Sequence, residues 1–287
     1  VEDIVAPVAT CQAFTAQLDA TGNVTIAASD IDNGSTDNCG IASLSVSPAA
    51  FTCANIGANT VTLTVTDVNG NSSTCTSTVT VEDNIAPTAS CQDITILLDA
   101  AGNASITAAD VDNGSTDNCA VASLSVSPSS FTCADVGPNT VTLTVTDTNG
   151  NSSTCTSTVT VQDSTAPTAV CQDTTIALDA SGNATITAVD IDNGSMDVCG
   201  IASLSVSPTA FTCSDIGPNT VTLTVTDVNG NSSTCTSIVT ITDPLSACNQ
   251  PPVAVCQPVT VNADGSCQGN AVASDFDGGS SDPDGDP

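Results

Sequence analysis

The chain has 287 residues, 31 of them Asp or Glu, and no Lys, Arg or His, so its formal charge is −31. Nucleic-acid binding is excluded, because phosphate neutralisation needs Lys or Arg, and docking on anionic lipid is opposed for the same reason. What such a surface attracts is cations, without which self-repulsion works against the compact state.

Fifteen cysteines and no histidine to complete a zinc site read as disulfides formed in an oxidising, extracellular compartment. Cysteine-only zinc centres need closely spaced thiolates, and no CxxC pair occurs. No apolar run reaches the roughly 20 residues of a membrane span, and no signal peptide opens the chain. VEDIVAP at the start matches VEDNIAP at 81–87, so the chain is expected to begin inside a longer protein with its export signal upstream.

Cysteines 11, 39, 53 and 75 recur as 91, 119, 133 and 155, then as 171, 199, 213 and 235. A fixed period of this kind overrides any domain count based on length. We divide the chain into repeats at 1–83, 84–163 and 164–243, a linker at 244–252, and a partial fourth repeat at 253–287.

Within the first repeat a weak strand spans roughly 8–18, followed by VTIAASDID (24–32), IASLSVS (41–47), TVTLTVTD (60–67) and TSTVTVED (76–83). Val61, Leu63 and Val65 alternate with Thr60, Thr62, Thr64 and Thr66, the period-two mark of a half-buried strand. Turn signals at DATGN, DNGSTDN, SP and DVNGN separate the strands, and Asn69–Gly70 predicts a type I′ hairpin. Nothing shows helical periodicity. The expected fold class is all-β: tandem immunoglobulin-like β-sandwiches arranged end to end as a rod. The core of each is thin, drawn from residues such as Leu18, Ile26, Leu44, Val46, Phe51, Val61, Leu63, Val65, Val79 and Val81. Covalent or metal staples are the usual supplement in so small a domain.

Four cysteines per repeat allow three connectivities. In an immunoglobulin-like sandwich the second-to-third strand loop and the last hairpin share one end. That favours Cys39 with Cys75 and Cys11 with Cys53, both within a repeat.

The acidic loop DIDNGSTDNCG (30–40) returns at 110–120 and 190–200. It crowds carboxylates that have no cationic side chain to pair with, and like charges raise one another's pKa unless something positive sits among them. Alternating Asp with Asn and Gly suits Ca²⁺, which takes six to eight oxygens from a bending loop. The same residues also favour solvated turns with no ion bound. The last strand of each repeat delivers a further Asp to the next junction. The expected calcium ligands are therefore Asp83, Asp110, Asp112, Asp117 and Asp147 between repeats one and two, and Asp163, Asp190, Asp192, Asp197 and Asp227 between two and three. Asp3, Asp30, Asp32, Asp37 and Asp67 form the first site, awaiting a domain upstream. Asp243 with Asp275, Asp277 and Asp282 repeats the pattern at the partial unit, where the sequence stops before a third strand and is expected to end by truncation.

The AP-x-x-x-C opening, DNCGIASLSVSP and VTLTVTDVNGNSSTCTSTVTVED together resemble hyalin-type (HYR) repeats, an immunoglobulin-like module of large surface proteins in marine Bacteroidetes. The resemblance covers residues 1–243. It implies an extracellular stalk or adhesin, often exported by type IX secretion, and for the fourth unit it implies Cys256 paired with Cys267. Cys248 is then the odd thiol.

The function expected is a calcium-stiffened structural stalk or filament segment of an extracellular adhesin. Its partners would be neighbouring repeats of the same chain, other copies in a filament, or a surface ligand, with no nucleic acid and no direct membrane insertion. Spacer modules of a large secreted enzyme are the alternative. Carbohydrate-binding modules are disfavoured because no Trp or Tyr offers a stacking platform. Catalysis within the chain is not expected, since acid–base chemistry lacks His, Lys and Tyr and the cysteines are bridged.

Overall fold

The computed structural model describes residues 3–249 and 253–280; Asp282 lies outside them. In the first repeat the chain forms β1 (Phe14–Gln17), β2 (Asn23–Thr25), the single-turn helix α1 (Ala28–Ile31), β3 (Ile41–Ser47), β4 (Ala50–Thr52), β5 (Gly57–Asp67) and β6 (Ser72–Glu82). The same elements recur 80 residues on and again 160 residues on. One sheet has the order β1-β6-β5-β3 and β2 pairs with β4 in a second, the two faces of an immunoglobulin-like sandwich.

The alternation of β5 places Val61, Leu63 and Val65 fully inside, while the intervening threonines are half-exposed. Leu63 lies opposite Cys75 across the β5/β6 ladder. The second sheet supplies Phe51, paired with Val24. Together with Ala16, Leu18, Ile26, Ile31, Val79 and Val81 these residues form one buried cluster, against which Leu44 and Val46 pack only in part. β1 runs parallel to β6, with Phe14 opposite Val79, so the first strand closes on the last.

Three sequence expectations are corrected. The segment 24–32 does not continue as a strand: after Thr25 it turns into α1. There the Asp30 carboxylate accepts from the Ala27 amide at 2.7 Å, a cap that four residues are too few to show as helical periodicity. The DVNGN hairpin is not type I′. Among described non-glycine residues only Ser246 and Cys267 have positive φ, so Asn69 does not, and Gly70 alone takes the left-handed region at φ 92°. With Asp67 N–H bonded to Asn71 O this is the longer loop built on a type I turn with a glycine bulge.

The third correction is the disulfide pattern. Cys11 bonds Cys75, tying the entry to β6, and Cys91 and Cys171 likewise bond Cys155 and Cys235. Cys53 bonds Cys119 of the following repeat, so the second bridge joins repeats instead of stapling one. Cys39 is not bonded to Cys75; it is a free, exposed thiol. Cys133 and Cys199 are also in disulfides. Cys248 is not the odd thiol, because it bonds Cys213. Cys256 and Cys267 are both free and exposed. Cys256 bridges Asp277 as Cys11 bridges Asp32, which gives it the place of a cysteine whose partner comes from the last strand of a full repeat.

Two outcomes are expected. Leu63→Ala, a truncation at a fully buried site, should cost about 2–5 kcal/mol, read as faster amide exchange confined to the first repeat. Non-reduced digestion with an Asp-specific protease should yield Cys53 linked to Cys119; a Cys39–Cys75 peptide would refute the connectivity.

Candidate metal centre

Each full repeat gathers carboxylates at its leading end. Asp67, at the end of β5, is buried because the hairpin folds back over it. Its Oδ1 accepts from the Asn69 and Asn71 amides at 2.8 Å each, and its Oδ2 from the Asn71 side chain at 2.7 Å. Burial works to raise its pKa, but the Asn71 side chain and the amides of Asn71, Asn69 and Gly70 outweigh it and hold the carboxyl below its ordinary value. Asp147 and Asp227 are held down in the same way. The same Asn fixes the leading segment: Asn71 Nδ2 donates to Asp3 O at 3.0 Å, and Asn151 Nδ2 to Asp83 O at 3.0 Å.

That anchoring brings Asp83 beside the hairpin, and the acidic loop contributes Asp117. One carboxylate oxygen from each of Asp83, Asp117 and Asp147 lies within 4.8 Å of the others, and Asp3, Asp37 and Asp67 converge identically. Oxygens 2.3–2.6 Å from a common Ca²⁺ span such distances. Asp83 Oδ1 accepts from the Ile85 amide and from Asn118 Nδ2. Asp117 Oδ1 accepts from the Cys119 and Ala120 amides. Their other oxygens, Asp83 Oδ2 and Asp117 Oδ2, are buried with no partner, as is Asn118 Oδ1. Buried acceptors left unmatched are costly, and no cationic side chain exists in the protein to serve them. Asp3 Oδ2 and Asp37 Oδ2 are orphaned likewise.

In the third repeat Asp163 and Asp197 meet with the sulfur of Cys199, which is disulfide-bonded and therefore not a thiolate. Asp227 keeps its Asn231 donors and is not in that group. Val198 there replaces the amide of Asn118.

The remaining predicted ligands lie elsewhere. Asp30, Asp110, Asp190 and Asp275 accept from the amide that precedes each short helix. Asp32, Asp112, Asp192 and Asp277 accept from amides two and three residues on, closing the acidic loop as a turn. Asp243, the counterpart of Asp83, has both oxygens satisfied, by the Ala247 amide at 3.0 Å and the Cys248 amide at 2.9 Å.

The sequence reading missed that Cys119 works at this site. Asn118 Nδ2 reaches Asp19 O of the preceding repeat at 3.3 Å, and a Cβ on Gly22 would lie 2.7 Å from both Asn118 O and Cys53 Sγ. Only glycine admits so close an approach, and its φ of 73° suits the turn. The spacing D-N-C, a carboxylate two residues before a cysteine, was the available signal. In the first repeat the nearby Cys39 thiol and the Val5 amide hold the Asp3 carboxyl below its ordinary value, while Asp3, burial and the Asp37 and Asp67 charges push the Cys39 thiol up.

No protein-family model and no curated protein matches the chain. Among solved structures it is similar to protocadherin gamma B7 extracellular cadherin domains 1–4, at 13% identity and TM-score 0.32 over 76% of this chain and 70% of that one. It is also similar to titin domains I67–I69 in an E-to-A variant, at 10% identity and TM-score 0.37 over 84% and 100%. Sidekick-1 immunoglobulin domains 1–4 give 7% identity and TM-score 0.32 over 82% and 76%.

Asn151→Ala should destabilise the second repeat by about 1–3 kcal/mol near neutral pH, leaving buried acceptors unmatched. A carboxyl with a depressed folded pKa adds stability that is complete above the unfolded value, about 3.9, and lost as pH falls through the folded one. The gap between variant and wild type, read by denaturant midpoint, should therefore hold from pH 7 down to about 4 and narrow only below about 3.9.

Proposed function

We propose that the chain is a structural segment of an extracellular surface protein, a stalk or filament of tandem sandwiches whose leading ends bind Ca²⁺. The observation that carries this is the trio Asp83, Asp117 and Asp147, in which Asp83 and Asp117 each keep an orphaned buried oxygen, beside the disulfide that joins repeats one and two. Three carboxylates and the Asn118 amide oxygen would supply the protein share of a six-to-eight-oxygen shell, with water completing it. Hard oxygen donors without imidazole or thiolate favour Ca²⁺ over transition metals.

The bound ion would replace mutual repulsion with attraction at the point where consecutive repeats are cross-linked. The resemblance to hyalin-type repeats supports the stalk or adhesin role, and the disulfides support an oxidising location. The segment has no catalytic role in this reading, and its work is to hold length and orientation.

Sites of this class bind at roughly 10⁻⁴–10⁻³ M, so they fill outside cells and empty in cytosol. Thermal unfolding should shift upward on adding millimolar calcium and return with chelator. Asp83→Asn and Asp117→Asn should each weaken the apparent affinity at least tenfold while leaving the chelated protein folded. Scattering in calcium should give a maximum dimension above ~100 Å, for repeats of about 35–40 Å set by 11-residue strands. Unchanged stability and shape in both conditions would mean that the carboxylates are only solvated turns.

A further inference from the structure

The carboxylate clusters of the three repeats are not alike. In the first and second repeats the acidic loop reads Asp37-Asn38 and Asp117-Asn118, and there the hairpin carboxylate, Asp67 or Asp147, completes the trio. In the third repeat the loop reads Asp197-Val198, and the group closes on Cys199 Sγ with Asp227 outside it. One side chain changes together with the make-up of the site.

Asn118 has two ties to the second-repeat site that a valine cannot make. Its Nδ2 donates to Asp83 Oδ1 at 3.2 Å, which fixes a carboxylate that is only 4% exposed. Its Oδ1 is buried with no partner, like Asp83 Oδ2 and Asp117 Oδ2. The amide nitrogen is committed to Asp19 O and Asp83 Oδ1, so the oxygen is the half of the side chain left to meet an ion. That oxygen is neutral. It adds a ligand of the kind Ca²⁺ takes beside carboxylates without adding to their mutual repulsion.

At the third repeat Asp163 Oδ1 accepts from the Thr165 amide at 2.9 Å, as Asp83 Oδ1 does from Ile85, but the Asn donor is gone. Asp163 Oδ2 stays buried and unpartnered. Met196 and Val198 stand where the second repeat has Thr116 and Asn118, and with Ala166 they line a pocket of about 390 Å³ that Asp197 also borders. Apolar walls withhold ligands, and the sulfur of a disulfide is soft and uncharged, a poor match for a hard cation. Two carboxylates remain where the second repeat gathers three and an amide oxygen.

We infer that Asn118 sets the affinity of the second-repeat site for Ca²⁺, and that Val198 leaves the third-repeat site at least about tenfold weaker, because affinity at oxygen sites follows ligand charge and rigidity. This rests on the calcium reading above and assigns the residue that tunes it. The two sites fill in order as calcium rises, the second repeat before the third. The chain therefore responds over a wider range of calcium than identical sites would allow.

The test is hydrogen exchange of the full, oxidised chain across a calcium titration, read on peptides covering 113–121 and 193–201, which differ in sequence. The midpoint of protection in the second repeat should lie at least about tenfold below that in the third. Val198→Asn should bring the third-repeat midpoint down toward the second, a gain that a damaged fold does not mimic. Asn118→Val should raise the second-repeat midpoint at least about tenfold while the third stays where it was. Equal midpoints in the unaltered chain, or a third-repeat midpoint unmoved by Val198→Asn, would overturn the inference and leave the calcium reading standing. No response to calcium in either peptide would overturn that reading, and this inference with it.

Discussion

A protein with 31 carboxylates and no basic side chain must find a donor for every buried acidic oxygen among its own N–H and O–H groups or take a water or a cation from outside. Most of the placement of Asp in this chain follows from that constraint. Asp67, Asp147 and Asp227 are buried, yet each collects amide and Asn donors. Asp30 and Asp32 and their copies spend their oxygens on caps and turns. What is left over is concentrated at one place per repeat, where Asp83 and Asp117 each keep a buried oxygen with nothing to accept. Asp243 serves as an internal control: where the connecting loop brings two amides to it, no oxygen is orphaned.

The disulfides divide the remaining labour. Each sandwich buries only about ten side chains in its central cluster, a thin core that a bridge from Cys11 to Cys75 reinforces by limiting the unfolded chain. Cys53 is not needed for that task and is turned outward to the next repeat. Asp117, Asn118 and Cys119 are consecutive, so the proposed ion, the contact with the Asp19–Gly22 turn and the covalent link all bear on one loop. Disturbing any one of them moves the other two.

The alternation of Val, Leu and Thr in β5 made the sandwich legible from sequence, and the period of the cysteines made the repeats legible. The three Asp that converge are separated by 34 and 30 residues (83, 117 and 147), and all were among the expected ligands. What the sequence did not separate was Asp117 from Asp110 and Asp112, because local hydrogen bonding consumes the latter two and local hydrogen bonding depends on backbone geometry. Pairing of cysteines failed for a related reason. Loops assigned to one end of a sandwich can bond across to a neighbour, and nothing in the spacing of Cys53 distinguishes a partner in its own repeat from one in the next.

The Cys11–Cys75 bond also has a mechanical meaning. It closes 64 residues of sequence into a loop between the point where the chain enters a repeat and the point where it leaves. Tension applied along the backbone is carried across a sulfur–sulfur bond, and β2 to β5 lie off the load path, which re-enters the sandwich only through the part of β6 that follows Cys75. Unravelled, those 64 residues would add about 200 Å of contour; held by the bond, they add none. Repeats built this way resist lengthening even where their sandwiches are weak, and only the short spans between Cys75 and Cys91 and between Cys155 and Cys171 remain to stretch.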